Sequence, residues 1–242
     1  MLADAISRAC FRSFTRIPGS RLIDADGVFG VLTNVPLTFF SGIATTAADA
    51  AIARTIEQFQ SERCPFRWWV SPTAPQDLAA VLRAHGLRHA YDATAMTADL
   101  TALDLDKPLP PGLSITGNME QWASVFVAVF GRAAAEAAIW LDTYAACGPE
   151  WTHFVGLLDD TPVATTSLLL AGELAGIYHV ATLPHARGRG IGAAITTAAL
   201  RHARSAGATT AVLQSSEMGF NVYRSIGFLP AGELSLYDWR PV

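Results

Sequence analysis

Charge is scarce in this chain. Of its 242 residues 16% are Asp, Glu, Lys or Arg, and the formal net charge is −4. No run rich in Lys or Arg occurs, which excludes a nucleic-acid binder that works through bulk positive charge. Cysteine is scarce as well. Cys10, Cys64 and Cys147 stand far apart without C-x-x-C spacing, so they read as reduced, buried thiols in a cytoplasmic protein, and none has the setting of a nucleophile. His85, His89, His153, His185 and His202 lack metal-ligand spacing, and no metal is expected. A long uninterrupted apolar run is missing too. The N-terminus is broken by Asp4, Arg8 and Arg12, unlike a signal peptide, and Val163 to Leu183 is interrupted by Glu173 and dotted with Thr and Gly. That stretch reads as buried strands rather than a membrane span. The expectation is a soluble cytoplasmic protein with neither nucleic acid nor membrane as partner.

Apolar residues are what the chain has in quantity, 51%, ample for one large core or two small ones. Asp104-Leu105-Asp106-Lys107-Pro108-Leu109-Pro110-Pro111-Gly112 concentrates three prolines in four positions. Proline there breaks both helix and central strand, so the segment reads as a linker. It divides the chain into 1–105, a linker at 106–112, and 113–242. In the second part, a strand at Leu113 to Thr116 precedes helices at Met119 to Phe130 and Ala135 to Cys147. Strands at Trp151 to Leu158 and Pro162 to Leu170 flank an Asp159-Asp160-Thr161 hairpin turn. Leu174 to Leu183 is a strand, Gly190 to Ala206 a helix, Thr209 to Leu213 a strand, Glu217 to Ile226 a helix, and Leu229 to Trp239 one or two strands. The result is an α/β fold with helices on a sheet.

The first part is less regular: strands at Gly27 to Thr33, Leu37 to Ile43 and Phe66 to Val70, and helices at Ala47 to Glu62 and Pro75 to His85. It holds a partial internal repeat. Val81 to Ala90 aligns with Val222 to Ala231, with Val, Arg, Gly and Ala at identical spacing and a helix ending at glycine before a strand. Two ordinary glycine-capped helix ends are the alternative to a degenerate duplicated domain. The aromatic strand Phe66, Trp68 and Trp69 is either core or a wall of a substrate cleft.

The chemistry concentrates between Gly176 and Phe228. A strand ends at Thr182-Leu183-Pro184, the loop Arg187-Gly188-Arg189-Gly190 follows, and a helix begins at once. A helix start offers unpaired N–H groups and the positive dipole end, and glycines let an anion approach the backbone. This is a pyrophosphate cradle. Gly188 to Ala193 also satisfies the dinucleotide pattern G-x-G-x-x-A, but a dinucleotide unit wants its first glycine directly after the strand, and four residues intervene. A glycine-rich turn without ligand is the remaining reading.

Val180 to Gly192 resembles the acetyl-CoA signature of the GNAT superfamily of N-acetyltransferases, and Val222-Tyr223-Arg224-Ser225-Ile226-Gly227-Phe228 is similar to that superfamily's L-Y-x-x-x-G-F segment. The resemblance implies the GNAT fold, a mixed, mostly antiparallel twisted sheet flanked by helices, here in tandem. It implies acetyl-CoA as co-substrate, with Arg187, Gly188, Arg189, Gly190, Ile191 and Gly192 donating backbone N–H groups to the pyrophosphate. Val180, Ala181 and Thr182 would pair with the pantetheine arm, and one of their N–H groups could stabilise the oxyanion. Tyr223 would protonate the leaving thiolate, unless it is only a core aromatic. Ser216 stands where many relatives carry Asn and would make a polar contact to the pantetheine. No base is evident: Gly176 and Tyr178 occupy the usual places, and strand alternation turns His179 away from the face of Tyr178, as a buried structural residue. The expected reaction is direct attack of a primary amine, on a small molecule, amino acid or protein, with water-mediated proton removal. A non-catalytic acyl-CoA sensor is the rival reading. A homodimer is compatible with the sequence. The first part lacks an Arg-Gly loop and has Leu82 at the repeat position of Tyr223, so it is expected not to bind CoA in the same way and to be non-catalytic.

Overall fold

The computed structural model describes residues 2–45, 49–71 and 73–241. The chain divides into two compact units, Met1–Ala95 with Ala231–Val242, and Met96–Pro230.

The first unit begins with α1 (Leu2–Ser13), followed by the hairpin β1 (Arg21–Ala25) and β2 (Val28–Leu32). Asp26 and Gly27 join these strands with φ of +54° and +78°, the left-handed pair that lets a two-residue turn follow the strand twist. Then come β3 (Gly42–Thr45), α2 (Asp49–Ser61), β4 (Phe66–Val70), α3 (Leu78–Ala84) and β5 (Arg88–Asp99), whose last residues, from Met96, belong to the second unit. The strand expected at Leu37 to Ile43 is a turn at Thr38–Phe40 flanked by bends at Leu37 and Ser41, and β3 starts only at Gly42. The start of the expected helix at Ala47 lies outside the described residues. Phe66 and Trp68 are fully buried with Phe59, Leu78 and Leu82, so within this unit the aromatic strand is core. Strand alternation turns Arg67 the other way. It sits opposite Asp238, which belongs to the strand that closes the chain, and its Nε and Nη2 donate to that carboxylate at 2.7 and 2.8 Å.

The second unit runs β6 (Leu113–Thr116), α4 (Met119–Val129), α5 (Glu136–Ala146), β7 (Trp151–Leu158), β8 (Thr161–Ala171), β9 (Leu174–Thr182), α6 (Ile191–Ser205), β10 (Thr210–Ser215) and α7 (Glu217–Ile226). β11 (Leu229–Trp239) follows and returns, from Ala231, to the first unit. Val163 to Leu169 of β8 are all buried, because helices cover both faces. Leu168 packs with Ala199, Leu200 and Ala203 of α6, while Ser167 points toward the α4 and α5 side.

The segment expected as a linker is docked within the second unit. Leu105 is fully buried in the α6 core, its carbonyl accepts from Arg201, and Arg204 Nη1 donates to the Leu103 carbonyl at 3.1 Å. The division at 106–112 is therefore replaced by one at Ala95/Met96, and the last residues of the expected 113–242 domain pair with β4. Proline density reports that a segment is neither helix nor inner strand. Whether it is loose depends on what it packs against.

The two units share one element order. β1-β2-β3-α2-β4-α3-β5 matches β7-β8-β9-α6-β10-α7-β11, with the first two pairings antiparallel in each and the third, β3 to β4 and β9 to β10, parallel. The aligned helix ends are alike in detail: Leu87 N–H bonds to Leu82 O and Phe228 N–H to Tyr223 O, both at 3.0 Å, around left-handed Gly86 and Gly227.

Candidate active site

β9 and β10 pair from Leu174/Thr210 to Ile177/Leu213 and no further, although both strands continue. At the same level β9 carries a bulge: Ser167 faces Tyr178 but Thr165 faces Ala181, so one residue of β8 spans two of β9. His179 sits in the bulge at φ +54°. Two threonines hold the carbonyls released there, Thr165 Oγ1 donating to His179 O at 2.9 Å and Thr166 Oγ1 to Tyr178 O at 3.3 Å. Val180, Ala181 and Thr182 thus lie on a strand whose edge facing β10 is not engaged by it.

Beyond β9, a 3-10 turn at Pro184–Ala186 leads into the loop. Gly188 and Gly190 both have φ +74°, a conformation that costs other L-residues about 1–2 kcal/mol. Gly190 is the residue before α6, and no side chain caps that helix start. The first-turn N–H groups of a helix have no carbonyl partner within it, and this holds for those of Ile191, Gly192 and Ala193 at the start of α6. Arg187 folds back, its Nε donating to the Thr182 carbonyl at 3.0 Å, and Arg189 is exposed. A cavity of about 180 Å³ adjoins Gly190, lined by Lys107, Pro108 and Pro110 of the docked segment, Thr197 of α6 and Ser225 of α7.

Tyr223 lies on the buried side of α7, its ring edge-on to Phe228 at 6.0 Å between centroids. Gly219 makes room for that ring: a Cβ there would come within 2.8 Å of it. Burial holds the phenol well above its ordinary pKa, so it keeps its proton through the neutral range. The Ser216 hydroxyl accepts from Gly219 N–H at 3.3 Å and caps α7, a local duty the sequence reading did not assign to it.

Alternation does not separate Tyr178 from His179. The bulge brings their rings to 6.1 Å in one aromatic cluster. Trp122 and Phe126 of α4 and Trp140 and Tyr144 of α5 surround the His179 imidazole. Its Nδ1 is 3.3 Å from both Tyr144 Oη and Ser167 Oγ, and Ser167 Oγ is 2.9 Å from His153 Nδ1. Sequence reading missed this network, because it depends on the register that sets His153 opposite Ser167 and Ser167 opposite Tyr178. Both histidines are held neutral. Burial lowers His153 to about 4, and burial, then His153 and Arg132, lower His179 well below the ordinary value.

This has a consequence for stability. The unfolded chain takes up protons at these histidines below pH 6.5 while the folded chain does not, so stability is full above pH 6.5 and falls as pH drops toward 4. The slope is at most about 1.4 kcal/mol per pH unit per group. Thermal melts followed by circular dichroism should lose several degrees between pH 7 and pH 5, and His153→Gln should remove part of that loss. An unchanged pH slope in the variant would refute the assignment.

A mostly antiparallel sheet flanked by helices, with one parallel pair parting beside a glycine loop and an uncapped helix start, is the GNAT fold. Solved structures agree over nearly the whole chain. A GCN5-related N-acetyltransferase from Kribbella flavida is 20% identical, covering 98% of this chain and 95% of its own, with TM-score 0.74. One from Sphaerobacter thermophilus is 16% identical, covering 89% and 78%, with TM-score 0.66. A tandem GNAT protein from the clavulanic acid biosynthesis pathway is 16% identical, covering 97% and 88%, with TM-score 0.62. No curated protein matches the chain by sequence. Residues 119–228 match the family model described as the Acetyltransferase (GNAT) family. Among the described residues, no group of three or more His, Cys, Asp or Glu could hold a metal ion, and no helix is long and apolar enough to cross a membrane.

Proposed function

We propose that this protein transfers an acetyl group from acetyl-CoA to a primary amine by direct attack on the thioester. The observation that carries the reading is the uncapped start of α6 behind left-handed Gly188 and Gly190, directly downstream of the unpaired edge of β9. In this reading the N–H groups of the loop and first helical turn bind the pyrophosphate, and the free edge of Val180 to Thr182 takes the pantetheine arm as an added strand. The cavity beside Gly190, with Lys107 on its wall, offers room to the nucleotide end. Bound acetyl-CoA supplies the activated acyl carbon. The amine nitrogen bonds to that carbon, the C–S bond breaks, and the thiolate sulfur takes the Tyr223 proton. The ammonium proton of the intermediate leaves through water, and the phenolate regains its proton from solvent.

The first unit is read as a non-catalytic GNAT-like half. It repeats the element order of the second, yet its residues 45–49 contain neither glycine nor arginine.

Thiol release from acetyl-CoA, measured over a panel of primary amines, tests the function. Release should require one class of amine and exceed the amine-free rate at least tenfold. Tight CoA binding with no turnover on any amine would instead favour a sensor.

A further inference from the structure

The second unit contains a strained backbone arrangement in β9. Among the described residues of the first unit, β2 and β3 pair in unbroken register from Val28/Thr45 to Val31/Gly42. In the second unit the corresponding β9 bulges at His179 and separates from β10 beyond Ile177. A left-handed, non-glycine residue inside a strand is strained and persists only where its surroundings over-determine it.

Here they do so on both sides of the α-carbon. The carbonyl is held by Thr165. The imidazole is boxed by Phe126 at 4.9 Å, Trp140 at 5.3 Å and Trp122 at 5.5 Å, all nearly perpendicular to it, and is tied to Ser167 and Tyr144 through Nδ1. The burial that keeps His179 neutral also makes it a poor proton acceptor.

Resting on the acetyl-CoA reading above, we propose that His179 is a positioning residue: its caged side chain anchors the β9 bulge and thereby holds β9 apart from β10, keeping the edge of Val180 to Thr182 open for the pantetheine arm. Without the anchor, β9 relaxes toward an unbulged register, and a one-residue shift turns every following side chain to the other face. The role is exerted through backbone geometry, so it falls on cofactor affinity and not on the chemical step.

Calorimetric titration with CoA reads this without knowledge of the acceptor. His179→Ala should weaken CoA binding about tenfold in protein that remains folded by thermal melt. His179→Asn should stay within about threefold of wild type, because Asn tolerates positive φ and keeps a polar group near Ser167. Thr165→Val, which removes only the hydroxyl on the His179 carbonyl, should weaken binding about threefold and covers the case in which the alanine variant does not fold. In turnover, KM for acetyl-CoA should rise while kcat stays within about threefold. Wild-type affinity in both His179→Ala and Thr165→Val, or a hundredfold loss of kcat at unchanged KM in His179→Ala, overturns the proposal, the latter in favour of a proton-transfer role. Failure of the wild type to bind CoA would refute the cofactor assignment itself, and this inference with it.

Discussion

Replacing Tyr223 by Phe is expected to lower kcat about a hundredfold while KM for acetyl-CoA stays within about twofold. The ring sits in a slot formed by Phe228 and the bare α-carbon of Gly219, and Phe fills that slot equally well. Only the proton for the departing sulfur is lost, and a positioned general acid is worth about 10²- to 10⁴-fold. Burial raises the phenol pKa above its ordinary value of 10, so the acid form persists through the neutral and mildly alkaline range. Wild-type activity should therefore show no decline from loss of this proton below pH 10. The same shift favours the folded state with the phenol neutral. Its contribution is full below pH 10 and is lost as pH rises above it, because the unfolded chain then releases a proton that the folded chain retains. Steady-state kinetics of the two enzymes decide the matter. If Tyr223→Phe kept more than a third of wild-type kcat, the tyrosine would be a core aromatic and the thiolate would leave unassisted.

A second large effect is expected at the loop. Gly190→Val should weaken CoA binding by a factor of 100 or more, which corresponds to about 2.7 kcal/mol. At φ +74° a β-branched residue carries about 1–2 kcal/mol of strain. Space is not the cause, since a Cβ at this position would meet only Pro110 Cγ, at 3.9 Å. The loop relieves the strain by rotating, which turns the N–H groups at the start of α6 away from the pyrophosphate, and the added methyls occupy the approach of the anion. Gly207→Ala is the matched control. Its φ of +95° is equally demanding, and nothing lies within 4 Å of its would-be Cβ, but it ends α6 at the far terminus from the loop. It should lower the melting temperature and leave CoA affinity within twofold. Equal losses of affinity in both variants would mean that α6 stability, rather than loop geometry, governs binding.

What the sequence determined by itself was local. Helix periodicity placed α4, α5, α6 and α7 to within a residue or two, and the Asp159-Asp160 turn is a left-handed pair at φ +48° and +62°. The glycine pattern located the loop because positive φ and close anion approach are demands on single residues, written into the chain where they occur. The same is true of the glycine-ended helices of the repeat, whose hydrogen bonds coincide.

What only the tertiary structure decided was which strands meet and in what register. Two-residue alternation assigned Tyr178 and His179 to opposite faces. One extra residue in β9 cancels that alternation and gathers His153, Ser167, His179 and Tyr144 into one network. Proline content marked 106–112 as a boundary, but the buried Leu105 and the arginines of α6 hold that segment in the second unit. β11 follows α7 in sequence, yet from Ala231 it completes the first unit, with Asp238 paired to Arg67. Register, strand partners and docking are settled by contacts between residues up to 200 positions apart, and no local preference encodes them.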